Sequence, residues 1–218
     1  MVDFVYKDRY GWSDFIELVR ILRSPGGCPW DREQTHASIR ANLLEEAYEA
    51  AEAIDTNDAA LLCEELGDCL AQIVMHSDMS AENGGFDIDD VIDGVCKKYI
   101  VRHPHVFGEV TVKSVGEVLT NWDDIKKQTK GQESHTAVLE SVSVALPALT
   151  RAVKLSSKAV KAGYAVQTDE PKRSESEWGE LLFSLAAAAK AQGIDPEAAL
   201  ADACKRFIGA FSGWERAQ

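Results

Sequence analysis

The 218-residue chain carries 36 acidic and 23 basic residues, a formal net charge of −13, with 45% hydrophobic and 27% charged residues. These are the proportions of a soluble globular chain long enough for one large domain or two small ones, and the acid excess argues against holding a phosphate backbone through net charge. No apolar run approaches the roughly 18 residues of a membrane span, and MVDFVYKDRYGW lacks the basic and apolar regions of a secretion signal.

Five cysteines, an odd number without a CxxC pair, fit reduced thiols in a cytoplasm better than a disulfide framework or a zinc site. In chain order, WSDFIELVRILR (12–23) places Phe15, Leu18, Val19 and Leu22 at helical spacing. Two prolines and two glycines between Pro25 and Trp30 then break the helix. A second helix is predicted from about Ser38 to Ile54, followed by a turn and N-cap at Asn57-Asp58. A long third helix runs from about Ala59 to Ala81 and stops at Asn83-Gly84-Gly85. The fourth starts near Asp87 and ends before Pro104, and the fifth covers 115–130. Beyond the polar, glycine-led GQESHT (131–136) come helices near 138–162, 174–192 and 195–213. No stretch reads as an alternating, β-branched strand, so the fold class is all-α, with a division expected between 1–130 and 131–218.

The charge is unevenly spread. Residues 41–96 hold fifteen acids and no Lys or Arg, residues 1–40 hold six of each sign, and 97–218 hold fifteen acids against seventeen bases. The net −13 is therefore the −15 of one segment plus 2 from the remainder. Like charges one helical turn apart cost roughly 0.2–0.5 kcal/mol per pair, so a segment that tolerates this throughout points to cations supplied from outside. In LLEEAYEAAEAID, an advance of 100° per residue puts Leu44, Ala47, Tyr48, Ala51 and Ile54 on one face and Glu45, Glu46, Glu49 and Glu52 on the other. Glu65 and Asp68 repeat the three-residue step of Glu46 and Glu49 on the next helix. Two carboxylate pairs on adjacent helices can enclose a hard, oxygen-loving cation such as magnesium; the plainer alternative is a solvated acidic face. Asp55, Asp58, Glu64, Asp78 and Glu82 are read as surface acids. Neither Glu49 nor Glu65 is followed by His three residues on, which disfavours a ferritin-like di-iron site.

Lys97, Lys98 and Arg102 arrive together after the acid-only segment, with Lys98 and Arg102 on one face. Beside a metal-filled carboxylate cluster they suit a polyphosphate; the alternative is that they complement a helix C-terminus. The sequence now shows LEEAYE, then ELGD with fifteen residues between Glu49 and Glu65, preceded by GCPWDREQT and followed by RHPHVF and NWDDIKK. Over roughly residues 12–130 this resembles the MazG family of nucleoside triphosphate pyrophosphohydrolases. The resemblance implies an all-α helical bundle of the MazG-like type, Mg2+ as cofactor, and cleavage of a nucleoside triphosphate to monophosphate and pyrophosphate. Carried over by position, Glu46, Glu49, Glu65 and Asp68 resemble the metal ligands and Glu45 an adjacent acid that orients water. Lys98, Arg102 and Trp122 resemble nucleotide-binding positions, Trp122 as a stacking ring or, alternatively, a core tryptophan.

The second half repeats the first incompletely. Glu177-Trp178-Gly179-Glu180 resembles Glu65-Leu66-Gly67-Asp68, and residues 195–207 resemble 87–99. ALPALTRAVKLSSKAVKAGY (145–164) resembles the start of a second MazG domain, yet no EExxE lies between Gly163 and Glu177. The equivalents of Asp68 and Arg102 are Glu180 and Ala210. This half is expected to be catalytically silent, serving packing or dimerisation. Leu181–Ala189 is apolar nearly all round and reads as a buried helix. By resemblance, the partners are nucleoside triphosphates and a second copy in a homodimer, with no nucleic acid or membrane, and the role is clearing non-standard or excess nucleotides. The alternatives are a narrower phosphoribosyl-ATP or deoxynucleotide pyrophosphohydrolase, or a non-catalytic module that binds nucleotide or a protein partner.

Overall fold

The computed structural model describes residues 4–129, 131–167 and 171–218, with 123 and 124 described by backbone alone. Every regular element among the described residues is helical: α1 (Trp12–Arg23), α2 (Pro29–Glu33), α3 (Arg40–Asp55), α4 (Ala59–Glu82), α5 (Ile88–Arg102), α6 (Pro104–Phe107), α7 (Val115–Thr129), α8 (His135–Glu140), α9 (Ala148–Lys161), α10 (Glu175–Ala191) and α11 (Pro196–Glu215). They form two compact units, Met1–Gly108 and Glu109–Gln218. The sequence reading placed the division at 130/131, so α7 falls on the other side of it. None of the described helices is long and apolar enough to cross a membrane.

In the first unit, α3 and α4 form an antiparallel hairpin whose turn is set locally. Asn57 takes a left-handed φ of 56°, which Asn tolerates better than most residues. Asp58 then caps α4, its Oδ1 accepting from the Ala60 and Leu61 amides at 3.0 Å each. At the far end Gly84, φ 72°, supplies the left-handed residue that stops α4. Asp87 starts α5 through a reciprocal capping box with Asp90. The core joins Val19 of α1, Ile39, Val74, Met75 and Met79 of α4, and Ile88, with Phe15 and Ile16 against it.

One guanidinium ties α1, α2 and α4. Arg23, 8% exposed, grips Glu82 with Nε at 3.1 Å and Nη2 at 2.7 Å. Its Nε also lies 3.6 Å from Asp78, and Nη1 donates to the Asp31 carbonyl. Asp78 and Glu82 are therefore not the idle surface acids expected: their partners come from α1, outside the acid-only segment. Two short helices were also missed. Each starts with proline (Pro29, Pro104), where a missing N–H costs nothing, and each is too short to show periodicity.

The second unit packs α9 along α11, with α8 beside both, around Leu139, Val142, Leu155, Ala159, Cys204 and Phe211. Tyr164 meets Phe207, Phe211 and Trp214 with ring centroids 5.3–5.7 Å apart. The single helix expected over 138–162 is two helices, broken at 141–147, because Pro147 lacks the N–H that a continuous helix needs there. Acids close the helix ends. Glu215 accepts from the His135 and Thr136 amides at 2.7 and 2.9 Å, and Glu197 accepts from the Ala148 amide. Residues 168–170 of the segment that replaces the expected acidic helix lie outside the described residues.

The expectation that α10 is buried fails within the chain. None of its residues is buried, and Leu182, Phe183 and Leu185 are 43%, 78% and 58% exposed. The packing it does make is with α11. Phe211→Ala should cost about 3–5 kcal/mol in a denaturant melt of the second unit's transition, the range for a buried aromatic. Phe183→Ala should stay within about 0.5 kcal/mol at dilutions where the chain is monomeric, and a larger loss on raising the concentration would reveal that a second copy covers it.

Candidate metal centre

Packing of α3 on α4 decides which side of each helix faces inward. The buried line on α3 is Ala50 and Ala53, continuing Ile39, with Leu43 and Glu46 half-buried on the same side. The face read as apolar from the sequence is exposed instead, with Leu44 at 46%, Tyr48 at 63% and Ile54 at 60%. Small alanines let the helices approach closely, and the half-turn beside them carries the glutamates. On α4 it is Glu65 that is buried, 8% exposed, while Leu66 and Ile73 stay at 55% and 41%.

The result is a carboxylate cluster. Glu46, Glu49 and Glu65 each offer an oxygen, and these oxygens all lie within 4.8 Å of one another. Asp68 stands next to them, outside that tightest group but acting on both Glu46 and Glu65. Burial pushes the Glu46 carboxyl above its usual value, helped by the charges of Asp68, Glu49 and Glu45 and by a hydrogen bond with Glu49. Glu65 is likewise raised by burial, then by Glu49, Asp68, Glu64 and Glu46. Among the described residues no Lys or Arg makes an ion pair with Glu46, Glu49, Glu65 or Asp68. An all-oxygen set with unbalanced negative charge fits a hard divalent cation, which would relieve the repulsion among its carboxylates.

The remaining predicted residues are placed as follows. Glu45 is exposed on α3, one residue before Glu46. Lys98 is exposed on α5 with Nζ 5.8 Å above the Tyr99 ring centroid. Lys97 is engaged with Asp93 at 2.5 Å, and Arg102 is half-buried at the end of α5. Trp122 is half-buried on α7, in the second unit. In that unit Glu177 caps α10, its Oε2 accepting from the Ser174 amide and hydroxyl at 2.7 Å each.

Sequence reasoning missed Cys69, whose thiol is pushed up by burial and then by Glu46, Glu65 and Asp68. Its place one turn after Glu65 was the available signal. It also missed a histidine pair: His36 Nδ1 and His76 Nδ1 lie 2.8 Å apart with rings nearly parallel. This pair fastens the segment before α3 to α4, two turns beyond Asp68.

The MazG nucleotide pyrophosphohydrolase domain matches residues 34–107, the stretch that contains the cluster. An uncharacterised protein of Bacillus subtilis, YabN, is 40% identical over 92% of this chain, which spans 45% of that relative. The nucleoside triphosphate pyrophosphohydrolase/pyrophosphatase MazG of Thermotoga maritima is 36% identical over 94% of this chain and 85% of its own length. The nucleoside triphosphate pyrophosphohydrolase of Escherichia coli K12 is 34% identical, covering 92% and 86%.

The raised carboxyls give a signed prediction. A group whose folded pKa lies above its unfolded one contributes stability that is present at low pH and lost as pH rises through the folded value. In EDTA, the wild-type melting temperature should therefore fall relative to that of Glu65→Gln as pH rises above the ordinary glutamate range, about 4.3. Millimolar divalent cation should reverse the difference. Parallel curves for the two proteins in EDTA would show that Glu65 is not strained by its neighbours.

Proposed function

The chain belongs to the MazG family of nucleotide pyrophosphohydrolases, and from that we propose that it hydrolyses nucleoside triphosphates to nucleoside monophosphate and pyrophosphate, using Mg2+. The observation that supports this most is the meeting of Glu46, Glu49 and Glu65 oxygens within 4.8 Å, inside the segment that matches the family. Glu46, Glu49, Glu65 and Asp68 hold the metal. Bound there, magnesium neutralises phosphate oxygens and the charge that develops on the leaving group.

The chain's own groups supply the rest. Glu45, exposed beside the cluster, orients a water molecule and takes its proton as the water oxygen bonds to the α-phosphorus. The bond from the α-phosphorus to the bridging oxygen breaks, and that oxygen leaves with pyrophosphate. Lys98 and Arg102 neutralise the phosphate tail as fixed cations. Contacts made to the phosphates and not to the base suit a role in clearing non-standard or excess nucleotides. In this reading the first unit, Met1–Gly108, is the catalytic part, and the second, Glu109–Gln218, serves packing and dimerisation. The exposed apolar side chains of α3, α4 and α10 support a homodimer in which a second copy covers them.

Phosphate-product analysis over a panel of triphosphates with magnesium should show pyrophosphate, not orthophosphate. Glu49→Gln and Asp68→Asn should each lower kcat/KM at least about 100-fold, as loss of a transition-state electrostatic partner does. Wild-type turnover in both would remove the metal assignment. Glu177→Gln with Glu180→Gln should leave kcat unchanged at working temperature, since Glu177 only caps a helix. Light scattering at micromolar concentration should give twice 23.9 kDa; the single mass with full activity would exclude an obligate dimer.

A further inference from the structure

In a chain of net charge −13, the stretch from Lys126 to Lys161 runs the other way, with seven Lys and Arg against Glu133 and Glu140 alone. Within the second unit this stretch folds around a cavity of about 420 Å³, a size suited to a small molecule. Its walls come from α7, the turn before α8, α8 itself and the C-terminal turn of α9. Lys126 and Lys127 enter from α7, Lys158 and Lys161 from α9, and His135 from α8, and no Asp or Glu is among the described lining residues.

Lysines in the last turns of α7 and α9 are favourable against each helix's own dipole. That accounts for each pair on its helix, but not for two pairs lining one volume. Lys126 and Lys161 make other interactions as well. Lys127 and Lys158 are the informative ones: both are half-buried, and among the described residues neither makes an ion pair. Like charges gathered in a partly desolvated space repel more strongly than in water, and an anion between them removes that cost. The donors are ammonium point charges rather than guanidinium forks, which favours an anion with many equivalent oxygens over a single planar carboxylate. Leu119 and Val138 are the large apolar side chains in the wall.

We propose that this cavity binds a polyphosphate anion, either inorganic pyrophosphate or the phosphate tail of a nucleotide, without a metal ion. It lies in the half that has lost its acidic set, so it is a binding site and not a second centre of hydrolysis.

Isothermal titration of the full chain carrying Asp68→Asn, in EDTA, tests this whether or not the hydrolytic reading holds. Pyrophosphate should bind, with affinity falling as salt is raised. Lys127→Gln with Lys158→Gln should weaken it at least about tenfold, the loss of two charge-assisted contacts, while Lys127→Arg with Lys158→Arg should retain binding. A nucleoside triphosphate that binds more tightly than pyrophosphate, and loses that margin in the Gln pair, would assign the site to a nucleotide tail; equal affinities would assign it to the free anion. Unchanged affinity in the Gln pair would overturn the proposal. So would a nucleoside binding as well as its triphosphate, or a Gln pair that loses melting temperature in step with affinity while the Arg pair loses both as well.

Discussion

Mutual repulsion among Glu46, Glu49 and Glu65 is the constraint around which the first unit is organised. Close packing of α3 on α4 brings one oxygen of each carboxylate within 4.8 Å of the others, and burial together with these charges raises the pKa of Glu46 and Glu65. Such a cluster persists only because the surroundings hold it. Ala50 and Ala53 allow the helices to approach. The Asn57-Asp58 turn fixes their register, and the buried Arg23 clamps α1 and α2 to the far end of α4. The stability lost at the cluster is offset by the core of Val19, Val74, Met75 and Met79 beside it. Functional sites commonly carry local strain of this kind, since a preformed charge array needs no rearrangement when its counter-ion arrives.

The two halves use acidic residues in opposite ways. In the second unit Glu177, Glu197 and Glu215 accept hydrogen bonds from backbone amides at helix starts; the Ser174 amide lowers the pKa of Glu177, and the Thr136 hydroxyl, then the Thr136 and His135 amides, lower that of Glu215. In the first unit the acids that cap are aspartates at Asp58 and Asp87, which leaves the glutamates of α3 and α4 uncommitted to backbone. The second half has no EExxE before α10, and α10 leaves Phe183 78% exposed.

Much of the architecture was legible from local signals. The long helices of the first unit follow apolar periodicity, with ends at Asp58, Gly84 and Asp87, where side-chain caps and a left-handed glycine act within a few residues. The carboxylate pairs were legible because a three-residue step fixes two side chains on one face wherever the helix goes. Short elements were not: α2 and α6 have five and four residues, less than the window that a period needs. Pro147 was visible in the sequence, and its missing N–H was a local signal for dividing the one predicted helix.

The sequence by itself determined the helical class, the family resemblance, the acid-only segment and the candidate ligands, because all of these are properties of residue order over a turn or two of helix. Tertiary structure alone decided which face of α3 turns inward. The side of Ala50 and Ala53 won over the side of Tyr48 and Ile54, since burial depends on what a neighbour offers and not on hydrophobicity alone. It also decided that Glu46, Glu49 and Glu65 form the tight group with Asp68 at its edge, and that Asp78 and Glu82 are neutralised from α1. These are distances between residues far apart in the chain, and no local spacing encodes them.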